Sequence, residues 1–435
     1  MISAWGRYLS TENTLSDNVI LGAGIAGISA GYHWKKAGIP CVIYEKDDDW
    51  GGLCGNFTID GFRFDRFVHL CFAPDEETQR LFSGKHGMYE HTPLPSNYYH
   101  GVWLRHPAQN NLAPLPAGEK VDIVADFVER PRTARQSITR YDEWLRAQYG
   151  NCFAERFPFA YTRKYWGVEA SELETKWVGV RMYSPDLRQV LRGSYETQDE
   201  CFYFAKKMYY PRKGGFRSIL DTCREGLDIR LNRRVVHIDT AERAVRFADG
   251  SSAHYDRLVS TLPLPEIVRM LDNVPQPVLR AASLLRHTCG YQVSLGFGRP
   301  DVARYLWFYI YDEQIPPARV YSPNLKSPDN VPEGCSALQA EVFYDNRTPV
   351  PPADEVLEKT VNALIGMGLF SREDIVVSDI RFEPYANVTF VPDIYENRAV
   401  VLEYLRSLGV ESIGRFGTWD YKWTHQAFAD GREIV

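Results

Sequence analysis

The 435-residue chain lacks several features that would each have named a function class. It has no CxxC pair among its eight cysteines, at positions 41, 54, 71, 152, 201, 223, 289 and 335, so neither a structural zinc site nor a thioredoxin-type redox pair is expected. It has no HExxH, no nucleophile elbow and no convincingly spaced pair of catalytic carboxylates, which removes the common hydrolytic machineries, and no metal is expected. It has no excess of basic charge: the formal balance is −6, against a nucleic-acid-binding face. It has no uncharged run long enough to span a bilayer, the longest being the glycine-broken stretch from Asn18 to Trp34. Repeats and low-complexity tracts are missing too. The thiols sit mostly in apolar runs, as in a reducing, cytoplasmic compartment.

What is present is a large apolar and aromatic complement, with Trp 10, Tyr 26 and Phe 22, enough for a sizeable core and for pockets that stack flat ligands. Residues 1–17 are polar and aperiodic and read as a disordered leader. At Asn18 an apolar run leads into Gly22-Ala-Gly24-Ile25-Ala26-Gly27, a helix-compatible segment to Lys36, and a second β-type run, Cys41–Glu45. This is a βαβ unit with a dinucleotide turn. Gly22 allows the tight turn, Gly24 lets the backbone approach a pyrophosphate, Gly27 lets helix and strand pack, and Glu45 can accept ribose hydroxyls. The helix N-terminus adds unpaired N–H groups and a positive dipole end.

Helical spacing recurs at Val121–Glu129, Ile138–Tyr149 and Leu187–Arg192, with Glu169–Glu174 expected on the polar face of a helix. Strands are expected at Arg233–Asp239, Ala244–Phe247, Tyr255–Ser260, Gln292–Phe297, Leu306–Tyr311 and Leu338–Phe343. The predicted fold is α/β. A Rossmann-type nucleotide domain is assembled from residues 18–72, 205–265 and 405–435. A mainly helical insertion covers 73–204 and a β-rich substrate domain 266–404.

Beyond Glu45, the Lys46, Gly51-Gly52-Leu53 and Gly61–Asp65 segment resembles the extended signature of FAD-dependent amine oxidases, protoporphyrinogen oxidases and sugar-nucleotide mutases. FAD is therefore expected rather than a plain nicotinamide. Val235–Ile238 followed by Tyr255–Thr261 resembles those families' return to the nucleotide-binding sheet. Within the superfamily, Phe64–Phe72 around His69, Trp103–Asn111, Tyr165-Trp166, Trp177–Arg181, Lys207–Phe216 and Gly414–Tyr421 resemble the UDP-galactopyranose mutase family, in order from residue 18 to about 430.

That resemblance implies interconversion of pyranose and furanose forms of a nucleoside-diphosphate sugar through a flavin–sugar adduct, with no net redox and a role in polysaccharide biosynthesis. FAD would work reduced, with NADPH or NADH as reductant; self-association into a homo-oligomer is also expected. It implies His69 beside the flavin, and Arg181 and Arg319 as a bidentate clamp on the diphosphate. It places His106, Gln109, Thr162, Tyr165, Trp166, Lys326, Tyr385 and Tyr421 around the substrate, and Val235, Gly414, Arg415 and Tyr421 on the cofactor. The chain departs from the family pattern at His106 (an aromatic there), Thr162 (Asn), Lys326 (Tyr) and His425 (Asn). The alternative for each arginine is a surface ion pair, for His69 a satisfied core contact, and for each ring plain core packing. The alternative function is an FAD-dependent oxidase or desaturase of the amine oxidase or protoporphyrinogen oxidase type. A non-catalytic flavin binder is the third.

Overall fold

A computed structural model describes residues 18–72, 75–130, 137–179, 181–198 and 205–435; the expected leader at 1–17 lies outside them. The chain builds a mixed α/β structure around a five-stranded, all-parallel sheet ordered Val410–Ser412, Arg257–Ser260, Asn18–Leu21, Val42–Tyr44, Asp228–Arg230. The strands are short apolar runs because both faces are covered. Alternation divides them. Val19, Leu21, Val42 and Tyr44 pack with Val245 and Phe247, while Ile20, Ile43 and Val259 pack with Ala26, Ile28, Trp34 and Phe428. The helices Ile25–Lys36 and Thr424–Glu433, from opposite ends of the described chain, cover the second face together.

Val235–Ile238 departs from its expected place. It forms a separate antiparallel meander with Ala244–Phe247 and Ser252–His254, and only Arg257–Ser260 returns to the parallel sheet.

The second large element is a seven-stranded sheet ordered Ile375–Val388, His287–Phe297, Ser336–Asp345, Arg319–Tyr321, Trp307–Ile310, Ser96–Tyr99, Val102–Arg105. It is antiparallel except where Trp307–Ile310 runs parallel to Ser96–Tyr99. Its last two strands come from inside the segment read as mainly helical. One face is apolar: Val293, Leu295, Leu338 and Ala340 pack on Val361 and Leu364 of the helix Ala353–Gly366. The other carries the buried polar residues Gln292, Ser294, Gln339 and Glu341.

Helices Ala117–Glu129, Tyr141–Tyr149 and Leu187–Tyr195 confirm the helical spacing in the insertion. Between them Asn151–Trp166 is interrupted by a π-turn at Glu155–Phe159 containing Pro158. A proline cannot donate to the helical ladder, and Thr162 Oγ1 donates to the Pro158 carbonyl at 2.6 Å. Glu169–Glu174 is no helix face. It is a capped 3₁₀ turn, Ala170–Glu172, and Glu174 turns inward to accept from the Tyr395 hydroxyl at 2.9 Å.

Candidate active site

The strand Asn18–Leu21 ends in a turn that only glycine can make at its first position. Gly22 has φ +97°, and a Cβ there would lie 2.2 Å from Thr261 Oγ1. At Gly24 a Cβ would meet nothing nearer than Gly52 Cα at 4.0 Å, so it would project into open space. Gly27 faces away, its would-be Cβ 2.0 Å from the Gly22 carbonyl oxygen, which makes it a packing glycine. The helix Ile25–Lys36 starts with no side-chain cap and no acid in its first turn, leaving its N–H groups and positive end toward the same space. Gly51 N–H donates to the Ala23 carbonyl at 2.9 Å, bringing Gly51-Gly52 over the turn. Glu45 receives the Ala23 N–H on Oε2 (2.8 Å) and the Asp47 N–H on Oε1 (3.1 Å), fixing its carboxylate at the strand end. Lys46 beside it is exposed and paired with Asp47.

From this turn a cavity of about 1420 Å³ runs between the two sheets and the helical insertion. Gly22, Gly24, Ile25, Ala26, Glu45, Lys46, Gly51, Gly52, Leu53, Val235, Gly414, Arg415 and His69 line part of its wall. His106, Gln109, Thr162, Tyr165, Trp166, Arg181, Arg319, Tyr385 and Tyr421 line the rest.

The His69 ring stacks on Phe216 (centroids 4.6 Å, 19°), and Nδ1 lies 3.1 Å from the Phe67 carbonyl. Burial holds its pKa down at about 4, so the ring is neutral. A carbonyl only accepts, so Nδ1 carries the proton and Nε2 is an acceptor.

Arg181 donates from Nη1 to the Trp177 carbonyl (2.7 Å) and from Nη2 to that of Tyr421 (2.9 Å). Its guanidinium lies 4.5 Å from the Tyr421 ring and 5.0 Å from that of Trp423. Arg415 approaches Tyr421 to 4.9 Å and donates to Asn387 Oδ1 at 2.8 Å. Among the described residues no carboxylate pairs with Arg181 or Arg415, and Nε of each is buried without a partner. Burial lowers the Arg181 pKa from a value high enough that it stays charged.

Arg319 differs. Its Nε and Nη2 both reach Glu341 Oε2 at 2.7 Å; burial is the largest influence and opposes the charge, but Glu341 together with Tyr161, Tyr165 and Tyr309 overcomes it and raises the pKa well above the ordinary value.

Other predicted side chains spend their polar atoms on the protein. Thr162 is bound to Pro158; Gln109 Nε2 donates to the Tyr183 carbonyl (3.3 Å). Tyr165 donates to Asn387 Oδ1 (3.2 Å), and Tyr385 donates to Glu266 Oε1 (2.5 Å) and stacks on His287. His106 Nδ1 lies 3.1 Å from Asn97 Oδ1 and burial brings its pKa to about 4; Trp166 packs against Trp177.

Lys326 is a correction. It sits in the short helical turn Pro323–Lys326, is 1% exposed and does not reach the cavity. Nζ binds Asp65 Oδ2 at 2.6 Å between the rings of Tyr210 and Tyr321, the charge being compensated internally rather than offered to a ligand. Sequence reading also missed Glu341, Asn387, Tyr161, Tyr309 and Trp423, all on the cavity wall. Glu341 carried a signal: it is the one charged residue inside the expected strand Leu338–Phe343.

The model of the flavin-containing amine oxidoreductase family matches residues 25–390. The chain belongs to that family. The orphan helix end, the open space at Gly24 and the Gly51-Gly52 approach fit the FAD that membership implies. Among solved structures, a reduced UDP-galactopyranose mutase superposes with a TM-score of 0.89 at 24% identity, covering 96% of this chain and 94% of that one. A protein from Exiguobacterium sp. 255-15, provisionally described as a protoporphyrinogen oxidase, gives 0.73 at 16% identity, covering 97% and 98%. In sequence the chain is 23% identical over 347 residues to a phytoene desaturase of Cercospora nicotianae, covering 68% of this chain and 51% of the relative. The chain thus spans about half the length of that curated relative. No helix among the described residues is long and apolar enough to cross a membrane.

Proposed function

We propose that this flavin-family enzyme is a sugar-nucleotide mutase, interconverting pyranose and furanose rings of a nucleoside-diphosphate sugar. The observation that carries the reading is the pair of half-buried guanidinium groups, Arg181 and Arg415, that line one cavity beside Tyr421, each with a buried, unpartnered Nε and, among the described residues, neither paired with a carboxylate. Half-buried guanidinium groups with donors to spare are matched to an anion, which they hold by charge-assisted hydrogen bonds. A diphosphate supplies two or more negative charges in forked geometry. Reduced FAD supplies an electron-rich centre for covalent catalysis at a sugar carbon.

The chain's own residues bind and orient. Arg181 meets the diphosphate with N–H groups left over from two carbonyl contacts. Negative charge grows there as the sugar–oxygen bond breaks, so the contact strengthens toward the transition state. The Tyr421 ring lies close to both cations, at 4.5 Å and 4.9 Å, and His69 presents Nε2 as an uncharged acceptor. Thr162, Gln109 and His106 border the nucleoside end, and Tyr165 and Tyr385 the sugar side. NADPH or NADH would reduce the flavin, and the free cysteines suit a cytoplasmic setting.

The second reading, an FAD-dependent oxidase or desaturase, draws on the phytoene desaturase relative. Under it a long apolar substrate would lie against two unpaired arginines. The deciding experiment incubates dithionite-reduced holoenzyme with a panel of sugar nucleotides and separates pyranose from furanose products. The mutase turns over many times per reduction; consumption of one oxygen or NADPH per product favours the oxidase.

A further inference from the structure

We propose that Glu341 is an internal counter-anion that shares Arg319 with the ligand's diphosphate and limits how tightly that anion is held; the inference rests on the sugar-nucleotide reading. Arg319 and Glu341 stand opposite each other on neighbouring antiparallel strands. Oε2 of the carboxylate takes both Nε and Nη2 of Arg319 at 2.7 Å, and Oε1 takes the Val68 N–H at 2.8 Å. Glu341 is fully buried, yet both side chains reach the cavity wall.

Among the described residues Arg181 and Arg415 have no carboxylate partner and offer a full positive charge, whereas Arg319 is presented as a neutral pair. A diphosphate at Arg319 gains hydrogen-bond donors but little net attraction. It can take the guanidinium outright only by stripping a carboxylate that also holds the backbone next to His69. In a reaction where the diphosphate must leave and return each cycle, two full cations and one balanced cation keep the anion exchangeable. Glu341 is thus a positioning and charge-balancing residue, acting through Arg319 and Val68.

The test titrates FAD-loaded enzyme with inorganic pyrophosphate by calorimetry, so that the cofactor's own phosphate subsite is filled. Glu341→Gln unmasks one charge within a few ångströms of the ligand and should tighten pyrophosphate binding by about tenfold to a hundredfold. A merely structural role predicts unchanged or weaker binding, and that result overturns the proposal. The double variant Arg319→Gln/Glu341→Gln removes both charges and keeps the net charge, so its affinity should stay within about threefold of the parent. A loss of tenfold or more there would mean that Arg319 acts as a free cation, and the proposal falls even if the single variant does not fold. Parent enzyme that binds pyrophosphate while Glu341→Gln gains nothing sinks this inference and leaves the sugar-nucleotide reading standing. Absence of binding in parent and variant alike sinks both.

Discussion

Replacing Arg181 by alanine gives the sharpest test of the anion site. The guanidinium has five N–H donors. Two groups, Nη1 and Nη2, each spend one on a main-chain carbonyl, and Nε is buried without a partner. Loss of one or two charge-assisted bonds at about 1.5–3 kcal/mol each spans roughly 1.5–6 kcal/mol, and an intermediate loss of about 2–4 kcal/mol of diphosphate binding is expected. A bare Coulomb estimate, about 3 kcal/mol for unit charges ~5 Å apart at an effective dielectric near 20, falls in the same range. The expected weakening is therefore about thirtyfold to a thousandfold. Calorimetric titration of the holoenzyme with nucleoside diphosphates reads it directly and needs no knowledge of the sugar. The carbonyls of Trp177 and Tyr421 also lose a donor, so the thermal midpoint should drop by roughly a few degrees, and titrations belong well below it. Arg181→Lys keeps the charge and loses the fork, and should recover only part of the affinity. Flavin content should match the parent in both variants. Unchanged nucleoside-diphosphate affinity in Arg181→Ala, with flavin retained, would refute the reasoning and remove the main support for a sugar-nucleotide substrate.

Three further outcomes are expected. Gly24→Val should abolish FAD retention while leaving the apoprotein's circular dichroism and unfolding unchanged, because the new side chain fills only open space; normal flavin absorbance after gel filtration would contradict this. Lys326→Met leaves Asp65 buried and uncompensated and should destabilise by about 3–5 kcal/mol in urea unfolding, without altering diphosphate affinity. His69, His106 and His287 are each held near pKa 4 by burial, below the ordinary 6.5. Between those values the unfolded chain binds protons that the folded one refuses, so stability should be full above about pH 6.5 and fall as pH drops toward 4. A flat urea midpoint across that window would be incompatible with neutral buried imidazoles.

Much of this arrangement was legible because some residues leave the chain little freedom. A Gly22–Gly27 turn after an apolar run, with Glu45 at the next strand end, can hardly do anything else, and the structure puts Gly22, Gly24 and Glu45 on the cavity wall. The short strand Ala244–Phe247 came out with its limits intact. The long strand Ile375–Val388 did not register. It lies at a sheet edge, opens on the unalternating run Ile375-Val376-Val377 and contains Pro384 near a register shift, which leaves only a short stretch of alternation. Lys326 was misplaced for a different reason: a lysine at a motif position looks ligand-facing until Asp65, distant in sequence, is seen to claim it. The Arg319–Glu341 pairing likewise depends on which strands become neighbours, and residue spacing alone does not carry that information.

The order of the parallel sheet has a kinetic consequence. Its central strand, Asn18–Leu21, is flanked by strands from positions 42 and 257, and the outer places go to residues 228 and 410. Gly431 presses so closely on the first helix that a Cβ would sit 2.4 Å from the Ala30 nitrogen. The earliest and latest described segments must therefore meet before the nucleotide-binding layer is closed. Long loops have to be ordered before these contacts repay the entropy, which makes for slow folding of high contact order. During that interval the apolar edges of the first βαβ unit stand unpaired, and FAD, by gripping the Gly22–Gly52 turn, would favour the chains that have already closed.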